Sequence, residues 1–124
     1  GCASIEVEEA RKEIQPAGFV KDASKWVIFP QTSFRNHQKV EARQPVLAED
    51  FSSYRFNLLS GTGKKGIATG GISYEYTREA LSLLHADTKL FKVATPNPFP
   101  EPLALQFLSE VDEVLVIEEL DPVI

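Results

Sequence analysis

Several short stretches of this sequence hold residue types that do chemistry when other residues position them. "GTGKKG", residues 61–66, offers glycines around paired lysines. A phosphate-cradling P-loop needs Gly-x-x-x-x-Gly-Lys-Ser/Thr between a strand and a helix, so that backbone amides and the lysine surround the phosphates. Gly61 and Gly66 have that spacing, but Ile67 and Ala68 stand where Lys and Ser/Thr are required. The stretch also precedes a strand pattern, so it reads as a turn. "TGGISY", residues 69–74, is better placed, at the end of an apolar strand and the start of a helix whose amino terminus favours anions. The full Gly-x-Gly-x-x-Gly fingerprint is missing, and no acid closes the following strand, which ends in Ala94-Thr95. Two readings stay open there: a tight strand-to-helix turn, or a phosphate or cofactor contact at Thr69, Gly70 and Gly71.

"IEELDP", residues 117–122, puts two carboxylates at a strand end. Neighbouring side chains on a strand point to opposite faces, so Glu118 and Glu119 are not a paired general acid and base. Glu118 is read instead as an acid facing an interface. His37 lies on a polar helical stretch and His85 at a helix end, both in structural roles. No Ser, Cys or Lys has a base placed beside it by spacing, so no catalytic residue is assigned.

Composition excludes several classes. The 124 residues are 43% hydrophobic and 25% charged, enough for one core. A formal charge of −5 with scattered basic residues argues against nucleic acid and anionic membrane as partners. No apolar run reaches the ~18–20 residues that cross a bilayer. Cys2 is the single cysteine, which excludes disulfides within the chain and makes a reducing cytoplasm the expected location. With two histidines it cannot complete a tetrahedral metal site or an iron–sulfur cluster, so no metal site is assigned.

The elements that would position these residues fall into three parts. Residues 1–25 read as a tail or linker, in which Ile5 and Val7 have the pattern of a short edge strand. Residues 26–60 read as a helical arm. It opens on "WVIFP", Trp26 to Pro30, an apolar run with the look of a buried one. A helix capped by Thr32 or Ser33 follows, and a second helix starts at Pro45. Residues 61–124 alternate strand and helix, with strands near 65–69, 89–94 and 113–118 and helices near 73–85 and 101–111. Ser73 is the expected cap of the first helix, whose core stripe is Ile72, Tyr76, Ala80, Leu83 and Leu84. Leu103, Ala104, Phe107, Leu108 and Val111 form the stripe of the second. This order predicts parallel strands joined by right-handed crossovers, an α/β three-layer Rossmann-like sheet with an amino-terminal helical arm.

"KKGIATGGISYEYTREAL" followed by "LFKVATPNPFPEPLALQFLSEVDEVLVIEELDPVI" resembles the α subunits of the indolepyruvate (2-oxoacid) ferredoxin oxidoreductases. The similarity covers about residues 19 to 124 and lies in the middle domain, of the transketolase carboxy-terminal-like class. Its most specific features are the loop with Pro96, Pro98, Pro100 and Pro102 and the "EELDP" ending. The alternating prolines predict a loop held near polyproline II at low entropic cost, presenting Asn97 and Phe99 to a neighbour.

The resemblance implies a parent enzyme that oxidatively decarboxylates aryl pyruvates to acyl-CoA. That enzyme uses thiamine diphosphate with Mg²⁺ and [4Fe–4S] clusters, takes CoA as co-substrate, and passes electrons to ferredoxin. The implied partners are the thiamine-binding domains of the same polypeptide and a β subunit. The family's catalytic glutamate, diphosphate site and cluster cysteines match no position here, so the resemblance implies a non-catalytic accessory domain without a cofactor of its own. It also implies a longer polypeptide, with a pyrimidine-binding domain before residue 1 and a diphosphate-binding domain after residue 124. The alternative from the residues alone is an independent α/β module binding a small phosphate or nucleotide.

Overall fold

The computed structural model describes residues 4–7 and 13–124. Two helices come first: α1 (Ala23–Trp26) and α2 (Pro30–Ser52). They are followed by β1 (Leu58–Ser60), β2 (Lys65–Gly70), α3 (Gly71–Leu84), β3 (Lys89–Val93), α4 (Glu101–Glu110) and β4 (Glu113–Ile117). The strands form one sheet in the order β1-β3-β2-β4. β2 pairs in parallel with β3 (Ala68 opposite Phe91) and with β4 (Ala68 opposite Val116), as the alternating pattern predicts.

The sheet is mixed rather than wholly parallel. β1 pairs antiparallel to β3, with Leu59 opposite Phe91, and so belongs to the sheet rather than to the helical arm. Three residues are too few to show a strand period in the sequence.

The two crossovers leave β2 and β3 in opposite directions, which places their helices on opposite faces. Side chains alternate accordingly. Ala68, Phe91 and Val93 point toward α4 and form the core with Phe107, with Leu103, Ala104 and Val111 packed around it. Phe91 and Phe107 are each only 1% exposed, with ring centroids 5.4 Å apart. Thr69 and Lys92 point to the other face, under α3. Helix, sheet and helix make three layers.

The structure differs from several local expectations. The arm is one helix through Pro45, not two. A mid-helix proline removes one hydrogen bond, but Pro45 and Glu41 both lie on the exposed side, where the freed carbonyl is open to solvent. Neither Thr32 nor Ser33 caps it; Pro30 opens it, and Phe29 stands at the cap without a side-chain hydrogen bond. "WVIFP" is not buried, because α2 carries it clear of the sheet, and Ile28 is 89% exposed. Ile5 and Val7 are exposed and form no strand.

Helix α3 buries a face other than its apolar stripe. Its buried face is Ser73, Tyr74 and Thr77, while Ile72, Tyr76, Ala80, Leu83 and Leu84 face outward; Gly70 stands at the cap position, and Ser73 lies inside the helix. Small polar residues let the helix approach the sheet, and the Thr77 hydroxyl satisfies itself by donating to the Ser73 carbonyl at 2.7 Å. In α4, Leu108 likewise turns outward, at 53% exposed, while Phe107 anchors the helix.

Candidate functional site

The carboxyl ends of β2, β3 and β4 enclose a cleft of about 570 Å³. It lies where the connections from neighbouring strands diverge, the usual ligand position in open α/β sheets. One wall is the start of α3. Gly70, extended at φ −146°, stands at its cap position, and Gly71 follows in the left-handed region at φ +55°. A Cβ on Gly70 would lie 2.5 Å from the Val93 carbonyl oxygen, so β3 passes too close for any larger residue. Gly70 and Gly71 line the cleft. Thr69 does not; it is fully buried beneath α3, and its hydroxyl has no hydrogen-bond partner.

The second wall is the end of β3. The Lys92 ammonium lies 4.6 Å from the Tyr74 ring centroid and 6.0 Å from that of Phe56, an arrangement in which ring faces attract the cation. Beyond it, buried Asn57 fixes the strand exit. Its Oδ1 accepts from the Ala94 and Thr95 amides at 2.7 and 3.2 Å. Its Nδ2 donates to the Phe51 carbonyl at 2.8 Å and to the Thr95 hydroxyl at 2.6 Å. Asn57 thus ties the end of α2 to the cleft rim. Sequence reasoning misses it, because its one signal is a single polar residue between Phe56 and Leu58.

The third wall is the "EELDP" turn. One oxygen of Glu118 accepts from the Val123 and Ile124 amides at 2.9 and 2.8 Å, and Leu120 takes the left-handed conformation at φ +70°. The chain therefore folds back over the sheet ends, and Ile124 packs against the core. Glu119 and Asp121 remain exposed at the rim. The residues lining the cleft include no Ser, Thr, Cys or His. The geometry is that of a binding cleft, with an ammonium on one side and carboxylates on the other.

The remaining candidates lie elsewhere. Asn97 and Phe99 line a more open groove of about 700 Å³ with Glu41, Gln44, Pro45 and Ala48 of α2. Phe99 also meets Phe91 edge-on, with centroids 6.2 Å apart, and Pro100 is fully buried. The proline loop is therefore anchored by its own aromatic ring, while Asn97 stays exposed. His37 pairs with Glu41 at 3.6 Å on exposed α2, and His85 caps α3 with φ +49°. Cys2 lies outside the described residues. Among the described residues no group of three or more His, Cys, Asp or Glu side chains gathers to hold a metal ion.

Two carboxyls are displaced from their ordinary range. Glu110 is lowered, first by its hydrogen bond from Lys89 and next by that from Gln106; Asp22 is lowered chiefly by the Ser24 hydroxyl. Neither lies in the cleft.

No family model matches the chain, and no solved structure matches it significantly. Curated proteins do match. The chain is 34% identical over 109 residues to "Indolepyruvate oxidoreductase subunit IorA" of Thermococcus kodakarensis, covering 86% of this chain and 17% of the relative. It is 33% identical over 122 residues to the protein of that name from Pyrococcus horikoshii, covering 96% and 18%. The Methanothermobacter thermautotrophicus protein of that name is 29% identical over 122 residues, covering 96% and 20%. The chain spans about a fifth of the length of these relatives. The resemblance carried by the proline loop and the "EELDP" turn thus extends over nearly the whole chain, which is related to one segment of the indolepyruvate oxidoreductase IorA subunits.

Proposed function

We propose that this chain is an accessory, non-catalytic α/β domain of a thiamine-diphosphate-dependent indolepyruvate (2-oxoacid):ferredoxin oxidoreductase. The observation that carries the reading is the 33% identity to an IorA subunit along 96% of the chain. The cleft supports it. One carboxylate oxygen of Glu118 serves the chain's own Val123 and Ile124 amides, a structural role within the turn. In this reading the ligands of Mg²⁺ and of the [4Fe–4S] clusters belong to other domains of the complex.

In this reading the domain positions others. Asn97, held out on a loop anchored by Phe99, and the turn stapled by Glu118 are the surfaces offered to the thiamine-binding domains and the β subunit. Oxidation of an aryl pyruvate to its acyl-CoA, with electrons passed to ferredoxin, belongs to the cytoplasmic complex as a whole.

The experiment is a replacement. The matching segment of an IorA subunit is exchanged for this chain, the β subunit is co-expressed, and viologen reduction by indolepyruvate and CoA is followed. An active chimera, with no reduction by the 124-residue chain alone, is the expected result. An assembled but inactive chimera, or activity of the chain alone, overturns the reading. Lys92 opposite the α3 amino terminus favours a second reading, an independent phosphate or nucleotide module. Calorimetry with CoA, thiamine diphosphate and nucleotides tests it, since a Kd below about 10 µM, roughly −7 kcal/mol, would support that module.

A further inference from the structure

The cleft at the carboxyl ends of β2, β3 and β4 carries opposite charges on its two sides, and neither side neutralises the other. The Lys92 ammonium lines one wall, while Glu118, Glu119 and Asp121 line the turn. Among the described residues Lys92 forms no ion pair, and neither does any of these three carboxylates. Lys92 is held instead by a ring face, 4.6 Å from the Tyr74 centroid, a contact that leaves its N–H donors to a ligand. Glu118 gives one oxygen to the Val123 and Ile124 amides, and its other oxygen accepts no hydrogen bond from the described residues. Glu119 and Asp121 stand exposed at the rim.

Between the charged sides the lining is apolar. Val93 comes from the end of β3, Ile72 from the start of α3 and Val123 from the returning chain. The volume, about 570 Å³, is that of a small-molecule site, in which an apolar lining is joined by a few placed polar groups. A ligand that suits both sides carries both charges. A simple anion meets Lys92 but is repelled by the carboxylates, and a phosphate ester more strongly still; a simple cation leaves Lys92 unpaired.

We infer that the cleft binds a zwitterionic α-amino acid with an apolar side chain. Its carboxylate pairs with Lys92, its ammonium with Glu119 and Asp121, and its side chain lies against Val93 and Ile72. Binding of this kind depends on the cleft alone and is independent of the chain's role as an accessory domain.

The experiment titrates the isotope-labelled 124-residue chain with L-phenylalanine and follows amide chemical shifts. Two analogues each lack one charge: phenylpropionate has no ammonium, and phenylethylamine has no carboxylate. L-Phenylalanine should move the Gly71 and Ala94 signals with a Kd of about 1 mM or tighter. Each analogue should bind at least about tenfold more weakly, because it leaves a charged group of the cleft without its partner. Lys92→Gln should abolish the preference over phenylethylamine. Glu119→Gln combined with Asp121→Asn, both at the exposed rim, should abolish the preference over phenylpropionate.

The same titration of the chimeric IorA subunit should return the same Kd. Loss of binding there would mean that the rest of the polypeptide fills the cleft, and overturns the inference. So does an absence of shifts around the cleft, or an analogue that binds as tightly as L-phenylalanine. Tighter binding of adenosine monophosphate would make the cleft a phosphate site and overturns it too. A preference over phenylpropionate that survives in the rim variant places the ammonium elsewhere, with the same consequence.

Discussion

The two halves of this molecule use apolar residues in opposite ways. From Lys65 to Ile117 the strands alternate with helices, and the core is made by a few side chains that meet across the sheet: Ala68, Phe91, Val93 and Phe107. From Phe19 to Ser52 the apolar residues are as plentiful, yet neither α1 nor α2 contains a buried residue. The difference is topological. A strand–helix–strand unit returns each element onto its neighbour, whereas a long single helix carries its first turns away from any partner. Apolar content does not make a core; return of the chain does.

The contrast ranks the substitutions. Phe107→Ala should have the largest effect, about 3–5 kcal/mol, because it empties the centre of the core. Leu108→Ala, one position on but outward-facing, should cost less than about 1 kcal/mol. Urea midpoints of the two variants check the assignment of the α4 face; equal shifts would break it.

Asn57→Ala comes next. It leaves the Ala94 and Thr95 amides and the Phe51 carbonyl without their partner, at about 1–3 kcal/mol by urea denaturation. Asn57 links the two halves, so proteolysis of the arm in this variant should accelerate more than global unfolding explains.

Thr69→Val should act in the other direction. The Thr69 hydroxyl is fully buried and unpartnered, so the isosteric apolar residue should raise stability by about 1 kcal/mol in thermal melts. A loss of stability would mean that the hydroxyl has a partner that the structure does not show.

Glu110 gives a dependence on pH. Its carboxyl is lowered by the Lys89 hydrogen bond, so its contribution is present above the unfolded-state value, about 4.3, and is lost as pH falls through the lower folded value. The urea midpoint of the wild type should therefore drop on acidification below about pH 4, and Glu110→Gln should flatten that part of the profile. The smallest effect should be that of Phe29→Ser in the exposed arm, within about 0.5 kcal/mol in dilute solution.

The legibility of the fold in the sequence follows the same contrast. All three parallel strands and both crossover helices stand where the hydrophobic period changes; in β2 and β3 that period reports burial, while β4, at the sheet edge, keeps the pattern with its apolar residues exposed. On α3 it does not. The stripe Ile72, Tyr76, Leu83 faces outward, and the face that packs is chosen by small size and by hydrogen bonds made locally, as at Thr77. Pro45 marks a helix start by its chemistry but lies inside a helix, on a face where the missing bond is cheap. At the site, Gly70 and Gly71 are identifiable as a glycine pair closing a strand: β3 passes too close for a Cβ on the first, and the second takes a left-handed backbone. Asn57 is not, since its role depends on residues 37 and 38 positions away. Glu118 stands out as an acid at a strand end, while its hydrogen bonds inside the turn emerge only once the chain folds back on itself.

The claim that residues 65–117 form the rigid unit, with α2 held only toward its carboxyl-terminal end, is tested most directly by amide hydrogen exchange in dilute solution. The slowest amides should lie in Ala68–Gly70 and Leu90–Val93, with those of residues 31–40 exchanging faster by a factor on the order of 100 or more. Amides of residues 31–40 as slow as those of β3 would contradict it.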